Sequence, residues 1–246
     1  MSGPQHKKSD LPVRVASAVV MVAVAGAALW LGGWAFTIFA TLVALGVYYE
    51  WWGLITKLSG GAIAQSAWML GGAGYIGVAA FSLIEMRGQS LSVALQALLV
   101  VIAVDVGAYF AGRSIGGPKI APRISPSKTW AGLLGGFLGA TIVLALAYDS
   151  CIVEDPVTPW EHWKICSGIQ LRGMFTNPTR TLVGLLFMGA LVAIVAQSGD
   201  FFESWMKRRA GVKDSGVLIP GHGGLFDRTD GLIALLFVFG LPRLLV

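Results

Sequence analysis

Residues 91–112 read LSVALQALLVVIAVDVGAYFAG, and Asp105 is the single charged side chain among them. A run of this length is sufficient to cross the hydrocarbon core of a bilayer as an α-helix, which needs about 20 apolar residues. Six further apolar runs flank it, at residues 13–31, 34–54, 63–85, 129–148, 181–203 and 226–245. The sequence therefore predicts an all-α, polytopic transmembrane helical bundle of about seven spans, within a range of seven to nine.

The overall composition supports the same fold class. Of the 246 residues, 55% are hydrophobic and only 13% are charged, a balance outside the range of soluble globular domains. The apolar runs lack the alternation expected of membrane β-strands. The net charge of +5 is expected from basic cytoplasmic loops, so it does not indicate nucleic acid as a partner. The first apolar run is too long for the core of a signal peptide, so we expect it to remain as a helix.

Lys and Arg residues are distributed unevenly between the polar connections. If the N-terminus lies inside, thirteen of the 18 fall on its side of the membrane and five on the other. Because such residues concentrate in cytoplasmic loops, we expect a cytoplasmic N-terminus in a bacterial inner membrane. Residues 112–129 and 204–230 then share the cytoplasmic face. The long loop 149–180 on the opposite side contains both Cys151 and Cys166, for which a disulfide and two free thiols are both left open.

The stretch Ser204–Asp230, SWMKRRAGVKDSGVLIPGHGGLFDRTD, gathers five cations and three acids around a glycine-rich turn. Cations at the end of a span are expected as a cytoplasmic anchor, but an acid embedded in the same span is usually functional. If the sixth span continues as a helix, one face carries an acid, a hydroxyl and two cations: Asp200, Ser204, Lys207 and Arg208. This mixture suits phosphates and a metal ion.

The glycine-rich turn is predicted to lead into the seventh helix. Gly223 and Gly224 let the backbone approach an anion closely, and a helix N-terminus favours negative charge. Asp227 and Asp230 would lie on one helix face, where two carboxylates need a cation between them. A hard divalent metal such as magnesium is a natural occupant, since helix capping explains one acid but not both. For His222 we leave open a ligand, a proton donor and a simple turn residue.

Two further segments are candidates for the same site. Asp105 and Tyr109 of the fourth span are expected to line the cavity, because a lone embedded acid needs a partner in the bundle interior. A second phosphate site is predicted at the start of the fifth helix. Its candidate residues are Ser125, Ser127, Lys128 and Thr129. The alternative for this segment is simple helix capping with a snorkelling lysine.

Four blocks of the sequence resemble the phosphatidate cytidylyltransferases, also called CDP-diacylglycerol synthases. Ser204–Asp230 is similar to the complete motif of that family, and the match is long and dense. The shorter blocks are DVGAYFAGR from Asp105, ISPSKTWAG from Ile124 and QSGDFFES from Gln197. The resemblance implies that CTP and phosphatidate are the substrates, and that CDP-diacylglycerol and pyrophosphate are the products.

The resemblance also implies Mg²⁺ as a cofactor, held by Asp200 and Asp227; a second cation is left open. We expect the protein to be surrounded by membrane lipids. Residues 1–90 would form N-terminal transmembrane helices, and residues 91–246 would form a catalytic transmembrane domain. Association into a homodimer is left open. The candidate catalytic residues are Asp200, Ser204, Lys207, Arg208, Lys213, Asp214, His222, Asp227, Arg228 and Asp230.

Two other classes of membrane protein are alternatives. An ion-coupled secondary transporter would also use intramembrane acids such as Asp105 and Asp200. Transport gives no reason, however, for cations and glycines concentrated at one cytoplasmic mouth. A CDP-alcohol phosphotransferase would share the substrate chemistry, but its run of acidic motif residues at fixed spacing is absent from this sequence.

Overall fold

The computed structural model describes residues 11–58, 60–153 and 178–244. In chain order these residues form α1 (Leu11–Leu31), α2 (Gly33–Ile55), α3 (Ala62–Gln89), α4 (Leu91–Ser114), β1 (Lys119–Ala121), β2 (Ser125–Thr129), α5 (Trp130–Val153), α6 (Pro178–Arg209), a 3₁₀ turn (Phe226–Arg228) and α7 (Asp230–Leu244). The predicted class, a bundle of transmembrane helices, is confirmed.

Six of the seven described helices, α1 to α6, are long and apolar enough to cross a membrane. Each corresponds to one of the predicted apolar runs. Helix α7 is shorter, with 15 residues, and contains Pro242. Helix α6 is longer than the predicted span 181–203 and continues to Arg209. The polar residues that follow the apolar run therefore remain on a regular helix, where their spacing fixes which side chains meet.

Two predicted local structures are wrong. Asp227 and Asp230 do not share a helix face, because Thr229, with φ −127° and ψ 0°, separates the 3₁₀ turn from α7. Ser125–Thr129 is a strand rather than a helix start, and it pairs with β1 in an antiparallel hairpin. Pro126 lies inside this segment. Because proline disfavours helical backbone in the residue before it, the helix begins only later in the chain. Helix α5 then begins at Trp130, where the Gly132 amide donates to Thr129 Oγ1 at 3.0 Å.

Close approach of α4 and α5 depends on glycine. A Cβ atom at Gly107 would meet the carbonyl oxygen of Gly135, and one at Gly139 would meet that of Ala103. Small residues let two membrane helices pack at short distance, where van der Waals contact replaces the hydrophobic effect. The hairpin between α4 and α5 is thereby held at the end of the bundle.

A second core lies between α2, α3, α6 and the 3₁₀ turn. Trp51 is almost fully buried and its ring packs 5.8 Å from the rings of both Phe202 and Phe226. Its indole N–H donates to the Trp68 carbonyl at 3.1 Å. This aromatic cluster fixes the 3₁₀ turn against α2, and so positions the residues that follow the glycine-rich turn.

One end of the bundle brings together the polar segments of the chain. The start of α1, the hairpin, the end of α6 and the residues 210–229 all meet there. For example, a Cβ atom at Gly221 would lie 2.9 Å from the Arg14 side chain. Cys166 lies outside the described residues, and so the question of a disulfide with Cys151 is outside them as well.

Candidate active site

Helix α6 supplies the central ion pairs of the site. Lys207 lies one turn after Glu203, and its Nζ contacts Glu203 Oε2 at 2.6 Å and Asp227 Oδ1 at 2.5 Å. Glu203 is 1% exposed, and its other oxygen, Oε1, is buried without a hydrogen-bond partner. A buried carboxylate oxygen with no partner is costly. It marks a position where a further donor or cation would be stabilised.

Asp227 is held by the loop that precedes it. Its Oδ2 accepts hydrogen bonds from the Ser215 amide, the Ser215 hydroxyl and the Gly224 amide, each at 2.9 Å. Burial by itself raises the pKa of this carboxyl, but hydrogen bonds with Glu203 and Lys207 outweigh burial and hold the pKa below its ordinary range. Asp227 is therefore an ionised carboxylate at neutral pH.

Gly224 permits this arrangement because it has no side chain. A Cβ atom there would meet the Ser215 hydroxyl and would lie 2.8 Å from Asp227 Oδ2. Gly223 has a φ of +85°, a conformation that residues other than glycine rarely adopt. The sequence predicted these glycines as a phosphate cradle. In the structure the Gly224 amide donates instead to Asp227.

The hairpin supplies a second ion pair. Lys128 on β2 forms a salt bridge with Asp200 on α6. Asp200 also interacts directly with the carboxyl of Asp230 at the start of α7. Asp105 of α4 is solvent-accessible and lies near enough to interact electrostatically with both Asp200 and Lys128. The hairpin, α4, α6 and α7 thus contribute to one cluster of charges, as the shared face of residues 112–129 and 204–230 predicted.

Carboxyl groups outnumber lysines in this cluster. Asp200, Glu203, Asp227 and Asp230 lie there with two lysines, Lys128 and Lys207. Within the described ranges, no three His, Cys, Asp or Glu side chains are grouped to hold a metal ion by themselves. Mg²⁺ is typically bound through one or two carboxylates, with waters and substrate phosphates as the other ligands. The carboxyl groups of this cluster are donors of the kind that magnesium takes.

The remaining predicted residues surround this cluster or lie outside it. Arg208, Lys213 and Asp214 are exposed at the same end, and Ser204 is half-buried on α6. On β2, Ser125 is buried and Ser127 is exposed. Thr129 caps α5, as the capping alternative predicted. These placements leave three exposed polar groups, at 208, 213 and 214, free to meet a ligand from solution.

His222 and Arg228 brace the glycine-rich turn. The His222 Nδ1 atom lies 2.9 Å from the Ser17 hydroxyl of α1, and the Arg228 guanidinium donates to the His222 carbonyl at 2.9 Å. This arrangement favours the turn-residue interpretation of His222. Tyr109 is exposed and contacts Arg113, which donates to its hydroxyl at 3.1 Å. The structure does not bring Tyr109 to the charge cluster.

Three polar residues of the site were missed or left ambiguous by the sequence interpretation. Glu203 lies within QSGDFFES, four residues before Lys207, and this spacing could have identified the pair. Ser215 has no such signal, because its contacts depend on the path of the loop. Glu50 is an acid embedded in α2, and that position alone marks it as a candidate.

Comparisons with known proteins show the family of the chain. The model of the cytidylyltransferase family matches residues 57–243. A phosphatidate cytidylyltransferase of Brucella suis is 32% identical over 279 aligned residues, covering 94% of each chain. One from Rickettsia bellii is 33% identical and covers 96% of this chain and 93% of its own. One from Haemophilus influenzae is 36% identical over 57% of this chain and 41% of its own.

Proposed function

The chain belongs to the cytidylyltransferase family, and on that premise we propose that it transfers the cytidylyl group of CTP to phosphatidate. The products are CDP-diacylglycerol and pyrophosphate. One observation carries the proposal for this site: the pair Lys207–Asp227 and the contacts of Asp200 with Lys128 and Asp230 lie at the same end of a membrane bundle. That end combines anionic metal-binding groups with cations for phosphate, and the bundle gives access to a lipid.

The reaction is a displacement at phosphorus. An oxygen of the phosphatidate phosphate attacks the α-phosphorus of CTP, a new P–O bond forms, and the bond to the β-phosphate bridging oxygen breaks. The electron pair leaves with pyrophosphate. The nucleophile is already anionic near neutral pH, so no strong general base is needed. The main barrier is repulsion between two polyanions and charge development on the leaving group, which positioning and electrostatic stabilisation lower.

The cations of the site divide this task. Lys128 and Lys207 are half-buried beside the carboxylates, where a phosphate oxygen is stabilised more strongly than in water. Arg208, Lys213 and Arg228 are exposed and suit the more distant phosphates. We propose that Asp200 and Asp227 hold magnesium, which when bound would supply positive charge to stabilise the phosphates. The binding of a second cation is left open.

An apolar cavity next to the charge cluster suits the lipid substrate. It has a volume of about 560 Å³ and reaches Gly199, the neighbour of Asp200. Its lining includes Trp51, Trp68, Tyr75 and Phe202. We propose that it receives part of an acyl chain, so that the phosphate of phosphatidate lies at the charged end of the bundle while its chains stay in the membrane.

The distribution of charge supports a proposal for the side of the membrane. The start of α1, the hairpin, the end of α6 and the loop 210–229 meet at the polar end, and they hold nine of the fourteen Lys and Arg residues in the described ranges. We propose that this end faces the cytoplasm across a bacterial inner membrane, because the positive-inside rule and the supply of CTP agree. In Lys213→Cys, a thiol reagent that does not cross membranes should label residue 213 only after the cells are permeabilised. Labelling of residue 213 in intact cells would refute this orientation.

The proposed activity is tested with purified protein in phospholipid vesicles. Labelled CTP, phosphatidate and magnesium should give a labelled lipid, and omission of phosphatidate should abolish it. A transporter would instead move a solute across the vesicle without forming a labelled lipid. Folded protein that shows ion flux and no labelled lipid would refute the transferase and favour the transporter.

A further inference from the structure

Glu50 of α2 contacts the loop 215–227, which holds Asp227, through both of its carboxylate oxygens. It is 2% exposed, and it lies outside the residues that the family model matches. Oε1 accepts from the Leu225 amide at 2.9 Å, and Oε2 accepts from the Phe226 amide at 2.8 Å. The Ser215 hydroxyl lies 3.0 Å from Oε2. A buried acid in a membrane helix is expensive, so contacts of this number and quality indicate a specific role.

The loop is shaped around this carboxylate. A Cβ atom at Gly216 would collide with Glu50 Oε1, and one at Gly224 would lie 2.6 Å from Oε2. The two glycines therefore allow the backbone to close on both sides of the Glu50 side chain. In contrast, Gly26 and Gly53, on the outer parts of α1 and α2, have nothing within 4 Å of such an atom.

Ser215 connects Glu50 to Asp227. Its hydroxyl oxygen lies within hydrogen-bond distance of both carboxylates, and its single hydrogen can be donated to only one of them at a time. The Ser215 and Gly224 amides donate to Asp227. Glu50 thus binds the loop at Ser215 and at residues 225–226. The same loop holds Asp227 in place.

We propose that Glu50 is a positioning residue for cytidylyl transfer, which fixes the loop 215–227 from α2 and thereby sets the place of Asp227. The proposal rests on the proposed function. Glu50 itself would touch neither substrate nor metal. It would act through the geometry of the loop rather than by adding negative charge to the cation site.

Two substitutions separate geometry from charge. Glu50→Gln keeps the size of the side chain but replaces one acceptor oxygen with an NH₂ group that faces a backbone N–H or the Ser215 hydroxyl. Glu50→Asp keeps the charge and both acceptors but is shorter by one methylene, so it cannot reach both amides from α2. A positioning role predicts that both variants are impaired. A role through charge alone predicts that Glu50→Asp stays active.

The kinetic test uses full-length purified protein. For Glu50→Gln we expect kcat to fall about 10-fold or more, because a buried N–H loses its acceptor. The KM for CTP should stay within about 3-fold of wild type, since no substrate contact is removed. Glu85→Gln is the matched control: it makes the same change near the C-terminal end of α3, and it should leave kcat unchanged. Wild-type kcat in Glu50→Gln, or full activity in Glu50→Asp, would overturn the proposal.

Amide hydrogen exchange provides a readout that does not need turnover. In Glu50→Gln, exchange at Leu225 and Phe226 should be faster by about 10-fold, while α4 and α5 are unchanged. A global rise in exchange or a lost size-exclusion peak would assign Glu50 to overall stability and overturn the positioning role. If wild type exchanges slowly at these amides but forms no labelled lipid, the proposed function fails although the Glu50 contacts are real.

Ser215→Ala is the second variant, and it removes only the hydroxyl between the two carboxylates. We expect a smaller fall in kcat than for Glu50→Gln with an unchanged size-exclusion profile. The double variant should lose less than the product of the two single losses, because both changes disrupt the same connection. Independent, multiplicative losses would contradict the connection through Ser215.

Discussion

Asp227→Asn is the substitution whose consequences the structure defines most closely. If the asparagine oxygen takes the Oδ2 position, it can keep the three hydrogen bonds from Ser215 and Gly224. Its NH₂ group then faces the Lys207 ammonium, so a charge-assisted hydrogen bond is replaced by two donors facing each other. Lys207 keeps its contact with Glu203 at 2.6 Å and is not left unpaired. We therefore expect a loss of about 1.5–3 kcal/mol in the free energy of unfolding, and a protein that still inserts.

The effect on catalysis should be larger than the effect on stability. The variant loses one proposed metal ligand and the charge that orients Lys207 toward a phosphate. Removal of one preorganised electrostatic contact typically lowers kcat about 100- to 1,000-fold, or about 2.7–4 kcal/mol in activation free energy. We predict a fall in kcat of at least about 100-fold, with a higher magnesium concentration needed for half-maximal activity.

The assay measures formation of CDP-diacylglycerol by purified wild type and Asp227→Asn over a series of magnesium concentrations. Size-exclusion profiles and thermal unfolding in detergent show whether the variant is folded. Glu85→Gln, which removes a charge from α3 outside the candidate site, is the comparison for a general loss of charge. Turnover by Asp227→Asn within a factor of two of wild type would refute the metal and orienting roles of Asp227.

Three further predictions concern other parts of the site. Lys128→Ala should raise the apparent KM for one substrate by about 10-fold, because a charge-assisted contact to phosphate is lost. Steady-state kinetics that show an unchanged KM for both substrates would contradict this. Gly224→Ala should abolish activity because its Cβ atom would meet Ser215 Oγ, whereas Gly26→Ala, with nothing within 4 Å of that atom, should keep activity and thermal stability. His222→Ala should lower thermal stability more than it lowers kcat, because His222 braces the turn, and a kcat loss of about 100-fold would instead indicate direct chemistry.

The membrane helices could be predicted from the sequence because one physical requirement determines them. A chain in lipid must satisfy its backbone hydrogen bonds within each span, so long apolar runs become helices. The predicted run 91–112 became α4, Leu91–Ser114. Helix ends were less certain, since α6 continues through charged residues to Arg209 at the membrane edge.

The local structure of the polar segments could not be predicted in the same way. Both the strand at Ser125–Thr129 and the break at Thr229 depend on what surrounds them. The strand is fixed by pairing with β1 and by the contact of Lys128 with Asp200. The 3₁₀ turn is fixed by packing of Phe226 against Trp51. Hydropathy and residue spacing contain no information on such distant contacts.

The candidate site was predicted in part. Embedding in an apolar span identified Asp200, because an acid there needs a partner, and a position directly after the glycine-rich turn identified Asp227. The partners themselves were not predicted, since Lys128 and Lys207 are paired with these acids by the fold. Glu50 contributes from α2, within the segment 1–90, although the predicted catalytic domain begins at residue 91. That division, the homodimer and a second cation stay predictions.

The position of the label in the products tests the central claim most directly. Purified protein is incubated with phosphatidate, magnesium and CTP labelled at the α-phosphate, and in parallel with CTP labelled at the γ-phosphate. Attack at the α-phosphorus predicts that the α-label enters the lipid fraction and that the γ-label is released as pyrophosphate. Transfer of the γ-label to lipid, or no labelled lipid from folded protein, would contradict cytidylyl transfer.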